Sequence, residues 1–400
     1  MPHLFPGSFL ALSVLGVLGA SAVAQTFVVD ANNGPGTNFL DIPPAIAAVP
    51  NGSVLLVRSG TYAPIAMSGR SLAVLAEPGA VVTLTGPIDI ANVGALQSAV
   101  VRGVRVPSGG LASAQATNCQ GLVMFDRVDQ IAAPGVFTAF GIHLQGCDQA
   151  VVRQCSARGM AALAVEQSQV TVERCLLQGE DLTNAGGGSG IAAQNSALTI
   201  ARCFVRGGNG GFVATPLGIV VAHPGAAVWL ITSTASFCDD GSGGYVAGAS
   251  PLAPQAVVDG YNSQVLYDDK TVLVPSGGAL PFSPNVAAAW ISCASVATQP
   301  APPGGTVQTS VMGPAGSFVF LLFGRPAAPM AVPGIWPGRL WLDPAATVVV
   351  AGFMSVGMIA NFSLAVPATP ALIGERYGWQ ALLLQASGGL TFGNASIYAH

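Results

Sequence analysis

The chain has 400 residues, of which 51% are hydrophobic and only 8% are charged, and its formal net charge is −4. Ordinary soluble domains carry roughly 25% charged residues, and disordered chains combine low hydrophobicity with high net charge. The composition therefore predicts a folded protein with a large apolar core. Lys270 is the only lysine among 14 basic residues. Because nucleic-acid binding requires basic side chains that neutralise phosphates, the composition argues against such a partner.

Residues 1–24 have the pattern of a secretory signal peptide. The apolar segment LFPGSFLALSVLGVLG is followed by small residues that end at Ala24. We expect export through this segment, cleavage before Gln25, and a mature protein that is secreted or held at the cell surface. An uncleaved anchor is the alternative, although the apolar run is shorter than the about 20 residues of a membrane span.

Residues 26–77 predict the beginning of a stack of short strands. The strand TFVVD is followed by a short amphipathic helix at residues 38–48, and then by the short strands VLLV, GTY and SLAVLAE. Stacked strands expose unpaired backbone and apolar surface at their end, and a helix at this position would cover both.

A ten-residue sequence motif recurs in the middle of the chain. It occurs as AVVRQCSARG (150–159), VTVERCLLQG (170–179) and LTIARCFVRG (198–207), with Cys155, Cys175 and Cys203 in equivalent places. The period is about 20 residues once the inserted segment 179–190 is set aside, which is typical of a solenoid. The runs are short, alternating and rich in Val and Ile, which favours strands. We expect the three cysteines to stack in one internal column.

These features resemble the pectin-lyase-like proteins, whose fold is a right-handed parallel β-helix. The likeness is most specific at the entrance 26–77 and covers roughly residues 26–245. It implies an all-β chain in which a right-handed parallel β-helix with an N-terminal capping helix spans residues 25–248.

After residue 248 the repeated motif ends and the chain becomes rich in Pro and Gly. Pro/Gly-rich runs flank SQVLYDDKTVLVP, which predicts a connector with a β-hairpin at 249–285. Short apolar strands between Pro/Gly turns then predict a small antiparallel β-sandwich at 286–400. Residues 346–366 are apolar enough to suggest a membrane span as an alternative. Polar residues and glycines within them favour buried strands, so we expect no transmembrane span after signal removal.

Seven cysteines in an exported chain leave at least one unpaired within the chain. Two alternatives remain open for the others: disulfides between neighbouring rungs, for example Cys147 with Cys119, or buried thiols. We favour thiols for the column of Cys155, Cys175 and Cys203. No CxxC pair occurs and the four histidines are scattered, so we expect no metal site.

The resemblance implies chemistry on polysaccharides. A lyase needs a base and a cation or arginine beside the substrate carboxylate, and a hydrolase needs two carboxyl groups about 5 to 10 Å apart. Ca2+ would be a cofactor only of a lyase. The characteristic motifs of pectate lyases are absent. The pair Asp239–Asp240 is similar to the paired aspartates of polygalacturonases, but their Gly-His-Gly and Arg-x-Lys partners do not follow, and a turn is the simpler interpretation.

Arginines form the strongest candidate binding surface. When the copies are aligned on their cysteines, Arg174 and Arg202 share one column and Arg158 and Arg206 share another. We predict that the four could contact an acidic sugar chain. Solvated arginines, together with a cross-rung pair of Arg153 and Glu173, are the alternative.

Two function classes follow from these observations. We favour an exported, non-catalytic and monomeric β-helix protein that contacts polysaccharide or a cell-surface partner, because no catalytic set is complete. The alternative is a polysaccharide lyase or glycoside hydrolase that acts on acidic glycans.

Overall fold

The computed structural model describes residues 25–131, 138–182, 186–210, 212–215, 218–221, 224–249, 254–333, 335, 338–385 and 387–400. The predicted signal segment 1–24 lies outside the described residues, so export remains a prediction.

The chain winds into rungs of three short strands, each paired in parallel with the next rung. One rung has Ala161–Glu166 on a first face, Gln169–Glu173 on a second and Leu176–Gly179 on a third. Ser189–Gln194, Ala197–Ala201 and Phe204–Arg206 repeat this arrangement in register. The parallel β-helix predicted from the repeat is therefore confirmed.

The three faces run the length of this solenoid. The first face contains Ile65–Ser68, Ile88–Ala91, the first halves of Gly110–Asp126 and Thr138–Arg153, Ala161–Glu166, Ser189–Gln194, Val228–Ile231 and Val258–Tyr261. The second contains Thr26–Val29, Ser53–Val57, Leu72–Ala76, Ser98–Arg102, the second halves of the two long strands, Gln169–Glu173, Ala197–Ala201, Thr234–Phe237, Ser263–Tyr267 and Val286–Trp290. The third contains Gly60–Tyr62, Val82–Leu84, Val104–Pro107, Asp129–Ile131, Ser156–Gly159, Leu176–Gly179, Phe204–Arg206, Gly244–Val246 and Leu273–Val274. Phe212–Thr215 and Gly218–Val221 form a separate antiparallel pair.

Two corners of the rungs turn on a single residue with positive φ. The first corner, between the first and second faces, consists of Gly69, Asn92, Asn118, Gly146, Gln167, Asn195, Thr232 and Asn262, with φ between 49° and 62°. The second corner, between the second and third faces, consists of Gly103, Arg127, Gln154, Arg174 and Arg202, with φ between 51° and 76°. One left-handed residue redirects the chain within a single position, so that the flanking strands keep their register.

A small side chain follows many corner residues and points into the solenoid. After the first corner these are Ser168, Ser196, Ser233 and Ser263. Each of the last three hydroxyls accepts a hydrogen bond of 3.1 Å from the N–H of the preceding serine in this series. After the second corner they are Cys155, Cys175 and Cys203, all free and buried. The predicted internal cysteine column is therefore present.

The third corner closes by direct packing of glycine backbones. Gly208 N donates to Gly188 O at 2.7 Å, Gly225 N donates to Gly208 O at 2.8 Å, and Gly248 N donates to Gly225 O at 2.9 Å. A Cβ on Gly208 would lie 1.8 Å from the Glu180 carbonyl oxygen. The inserted segment 179–190 therefore begins and ends inside this glycine stack.

A short helix covers the N-terminal end of the solenoid, as predicted. It spans Ile42–Ala48, the Asp41 side chain accepts a hydrogen bond from Ile42 N, and Ile42, Ala45 and Ile46 are buried. These side chains join the apolar core that fills the solenoid.

The solenoid extends beyond the boundary at residue 248 that the sequence suggested. Val258–Tyr261, Ser263–Tyr267 and Val286–Trp290 continue the first and second faces in parallel register. The segment expected to be a hairpin instead forms Ser263–Tyr267 and Leu273–Val274, which belong to different sheets. The Pro/Gly-rich runs that suggested a connector lie between strands of the last rungs.

The C-terminal module is the predicted antiparallel β-sandwich. One sheet contains Ser295–Gln299, Thr306–Met312 and Ala360–Ala365, and the other contains Phe318–Gly324, Val348–Met354, Arg376–Leu384 and Leu390–Ala399. Pro326–Met330 pairs with Leu340–Leu342, and Pro370–Leu372 is a 3-10 helix. The apolar stretch 346–366 thus supplies one strand to each sheet. Within the part of the chain that the structure describes, no helix is long and apolar enough to cross a bilayer.

The module packs against the outer side of the second face. Trp341, Ile397 and Ala399 of the module share a buried apolar cluster with Leu75 and Met124 of the solenoid. Removing this apolar surface from water stabilises the docked arrangement. It also buries the middle of the second face on both sides, as at Leu72–Ala76, whereas Trp290 at the end of that face is exposed. Among the described residues, no buried apolar cluster joins the module to the first face.

The glycine stack gives a first prediction. Gly208→Ala should lower the free energy of unfolding by about 1–3 kcal/mol or more, because the added methyl group overlaps backbone that cannot move aside. Urea denaturation would measure the loss. Gly244→Ala is the matched control, since its Cβ would meet nothing closer than 3.7 Å. Equal stability of the two variants would contradict close packing at the third corner.

Candidate functional site

A buried charge cluster joins the solenoid to the module. Arg153 is fully buried and lies 3.6 Å from Asp126 and 3.4 Å from Glu173 on a neighbouring rung. Ser396 of the module donates a hydrogen bond to Glu173 Oε2 at 2.8 Å, and the Arg153 guanidinium donates to the Thr298 carbonyl. The cross-rung pair of Arg153 and Glu173 is thus present, and it lies at the domain interface.

The two candidate arginines at the second corner, Arg174 and Arg202, also face the module. Arg174 Nη1 donates to the Thr298 carbonyl at 3.3 Å. Arg202 pairs with Asp240 at 2.8 Å and donates to Ser295 and Ser310 at 3.3 Å each. Burial lowers the pKa of Arg202, and the Asp240 carboxylate partly offsets that effect. Both side chains are therefore engaged in domain docking.

The other two candidate arginines lie on the third face. Arg158 and Arg206 are both partly exposed, and they share the carboxylate of Asp181 at 3.9 Å and 3.3 Å. The structure therefore separates the four candidate arginines into two pairs with different surroundings.

The Asp239–Asp240 pair lies beside the second corner. Asp239 is buried, its Oδ1 accepts the Arg202 N–H at 2.5 Å, and its own N–H donates to Asp268 Oδ2 at 3.1 Å. Burial raises the pKa of Asp239 to about 7, the Arg202 N–H opposes this shift, and the charge of Asp268 adds to it. Asp240 is held by Arg202. Both carboxylates of the pair therefore stabilise the second corner.

A polar pair on the first face has no motif in the sequence that would predict it. His143 Nε2 lies 3.4 Å from Glu166 Oε1, and Gln145 donates to Glu166 Oε2 at 3.1 Å. The Phe140 ring lies against the His143 ring, with centroids 4.8 Å apart. Only the strand register brings these residues together, pairing Gln145 with Glu166 across 21 positions without a local motif. Their chemistry permits proton transfer to a bound molecule.

Further along the first face, aromatic side chains reach solvent. Trp229 is 39% exposed and Tyr261 is 67% exposed, on adjacent rungs. Trp and Tyr rings combine a large apolar surface with one polar group, and for that reason they are enriched at interfaces. Neither residue belongs to a repeated motif, so the sequence alone gives no sign of them.

Two shallow depressions follow the first corner, on the side where the chain enters the second face. Their volumes are about 450 Å³ and 420 Å³, and both include Thr232 and Thr234. The first also contains Asn262, Gln264 and Asn285, whereas the second contains Asp148, Gln167, Gln169, Asn195 and the module's Arg339. The lining is thus almost entirely uncharged and able to form hydrogen bonds.

The described ranges contain no candidate metal site. No group of three or more His, Cys, Asp or Glu side chains there could hold an ion.

The fold defines the chain as a parallel β-helix protein with a docked β-sandwich. No family model matches the chain, and no curated protein matches its sequence. Among solved structures, pectate lyase Pel9A is similar with a TM-score of 0.36 and 15% identity, over 67% of this chain and 79% of that one. The enzymatically active domain of tailspike protein 2 from bacteriophage CBA120 has a TM-score of 0.30 and 10% identity, over 94% of this chain and 71% of that one. Similarity at this level transfers no activity and no site residue.

The buried charge cluster gives a second prediction. Arg153→Leu should lower the free energy of unfolding by about 3–5 kcal/mol, because it leaves Asp126 and Glu173 as unpaired buried charges. Arg158→Leu, at a partly exposed arginine, is the control and should change stability by less than about 1 kcal/mol. Chemical denaturation of both variants would measure this, and an equal effect would refute the interface cluster.

The pKa of Asp239 gives a third prediction. Its folded-state pKa of about 7 lies above the ordinary 3.8, so the folded protein keeps a proton that the unfolded chain releases. Stability should therefore fall as pH rises from about 4 to about 7. Asp239→Asn should reduce this slope, whereas Asn at the exposed Asp269 should not. Thermal unfolding across this pH range would measure both, and an unchanged slope in Asp239→Asn would contradict the assignment.

Proposed function

We propose that this chain is an exported, non-catalytic, polysaccharide-binding β-helix protein. The proposal rests on one observation: the C-terminal module covers one side of the solenoid and not the others. The module covers the middle of the second face and part of the second corner. The first face presents Trp229 and Tyr261 to solvent, and the first corner presents the exposed side chains of Gln167, Asn195, Thr232 and Asn262. An open, elongated surface of rings, amides and hydroxyls suits a chain of sugar rings.

The placement of the carboxylates supports a binding role over catalysis. Asp239 is buried and hydrogen-bonded to backbone, and Asp240 is paired with Arg202. A hydrolase requires two carboxyl groups that face the substrate from a common groove. The carboxylates of Asp239 and Asp240 instead bond to other residues of the chain.

One observation favours an enzyme as the second candidate. His143 and Glu166 form a pair on the uncovered first face, with the Glu166 side chain 38% exposed. Such a pair could remove or deliver a proton if a substrate lay across it. The alternative is therefore a lyase or hydrolase that uses this pair; for a lyase acting on acidic glycans, Ca2+ would be the cofactor to test.

Arg158 and Arg206 define a second proposed contact, with acidic sugars on the third face. Their partly exposed guanidiniums lie on either side of Asp181. Binding there should weaken with salt, because exposed charges are screened within about 8 Å at physiological ionic strength.

A fourth prediction tests the function directly. The secreted, monomeric parent protein should bind a soluble polysaccharide in affinity electrophoresis and release neither unsaturated nor reducing ends. The panel should include neutral β-glucan, galactomannan, xylan and polygalacturonate. Polygalacturonate binding should fall in the Arg158→Ala, Arg206→Ala double variant and persist in Arg105→Ala, an exposed arginine of the same face.

Two results would decide against this proposal. Product release that disappears in His143→Ala would establish the enzymatic alternative. The absence of binding to every polysaccharide of the panel would refute a glycan-binding function altogether.

A further inference from the structure

We infer that the first corner is the binding site of a neutral, extended glycan that lies along the solenoid axis. The inference rests on the proposed function and deepens it, because it names the residues and the class of sugar. The residues are the exposed corner ladder of Gln167, Asn195, Thr232 and Asn262, which we call the polar ladder.

The polar ladder is regular and unoccupied by the protein itself. Its four residues lie on successive rungs and share φ values between 49° and 51°. All four are exposed, and their side chains have no hydrogen-bond partner among the described residues. Parallel strands repeat at about 4.8 Å, so the ladder presents a donor or acceptor group at each step. A polymer of sugar rings presents hydroxyl groups at comparable intervals.

The ladder is also rigid before any ligand arrives. Each residue is followed by a buried serine, and these serines are linked from rung to rung by hydrogen bonds of 3.1 Å. Each of these hydroxyls also donates to the carbonyl two residues earlier, at 2.7 to 2.9 Å. A surface held in place this way loses little conformational freedom on binding, which favours affinity.

Thr232 provides an independent indication of a functional constraint. It has a φ of 49°, a conformation that is strongly disfavoured for β-branched residues and natural for Gly or Asn. Its exposed hydroxyl has no hydrogen-bond partner within the described parts of the chain, so internal bonding does not explain the threonine. Thr232 is shared by the two depressions, at the centre of the proposed site. Backbone strain retained at such a position is typical of binding sites.

The charges around the ladder select a neutral ligand. Asp148 lines one depression, and Glu166 and Asp259 lie on the adjoining first face. Arg339, the one basic side chain of the lining, donates a hydrogen bond to the neutral Gln169 at 2.9 Å and keeps its charge, so three carboxylates surround the ladder against one guanidinium. Carboxylates of a polyuronate would meet this acidic surrounding at a cost, whereas uncharged hydroxyls would not. Tyr261, next to Asn262 in the chain, is placed to stack on a sugar ring.

Glycine substitutions test the ladder while keeping the backbone conformation, because glycine adopts positive φ without strain. The triple variant Gln167→Gly, Asn195→Gly, Asn262→Gly should bind neutral β-glucan, galactomannan or xylan at least about tenfold more weakly, equivalent to about 1.4 kcal/mol. Its thermal unfolding temperature and its β-sheet circular dichroism should remain close to those of the parent. Gln154→Gly is the matched control, since Gln154 has the same conformation at the second corner. Parent affinity should be the same at low and high salt.

Thr232→Gly separates a binding role from a structural one. Relief of backbone strain should leave the unfolding temperature equal or higher, while affinity for the neutral glycan falls. A threonine kept only for structure would show a lower unfolding temperature and unchanged affinity, which would overturn the assignment of Thr232.

The remaining outcomes distinguish the inference from the proposed function. Binding of polygalacturonate alone, sensitive to salt, would overturn the neutral ligand and leave a glycan-binding protein. Binding of neutral glycan that the triple variant retains would overturn the site. Failure to bind any polysaccharide would refute both proposals together.

Discussion

The fold depends on turning each rung at two of its corners within one left-handed residue, so that the flanking strands stay in register with the neighbouring rungs. At both such corners the chain places a residue with φ near 50° outside and, in many rungs, a serine or cysteine inside. The inner side chain offers a small polar or polarizable atom to the neighbouring rung, as Cys203 Sγ does to Cys175 N at 3.4 Å. This arrangement fixes the register of all three faces, and thereby decides which side chains share a column.

The two corners have the same backbone geometry and opposite surroundings. At the second corner, Arg174 and Arg202 donate hydrogen bonds to the module, and Arg153 is buried beside them with its carboxylates. Arginine suits this position because its planar fork satisfies several acceptors at once. At the first corner the equivalent residues are neutral and face solvent. Docking of the module thus converts a symmetric solenoid into one with a closed side and an open side.

Much of the fold could be predicted from the sequence because the corner chemistry repeats locally. The repeated motif around Cys155, Cys175 and Cys203 marks the second corner, and the buried cysteine column it predicts is present. The dipeptides QS, NS, TS and NS at 167, 195, 232 and 262 record the other corner, and that signal could have been found. What covers each corner could not be predicted, because docking joins segments far apart in the chain. For that reason the sequence does not reveal that Arg174 and Arg202 contact the module, and it predicts an end of the solenoid at residue 248 that the structure extends to Trp290.

We propose that docking of the module leaves the first face and the first corner free to bind the ligand. Hydroxyl-radical footprinting of the intact protein, with and without a bound neutral polysaccharide, tests it most directly. Trp229 and Tyr261 are exposed on the first face, and Trp290 is 59% exposed on the last strand of the second face. We expect bound glycan to lower the oxidation of Trp229 and Tyr261 and to leave that of Trp290 unchanged. Protection of Trp290 alone, or of none of the three, would contradict it.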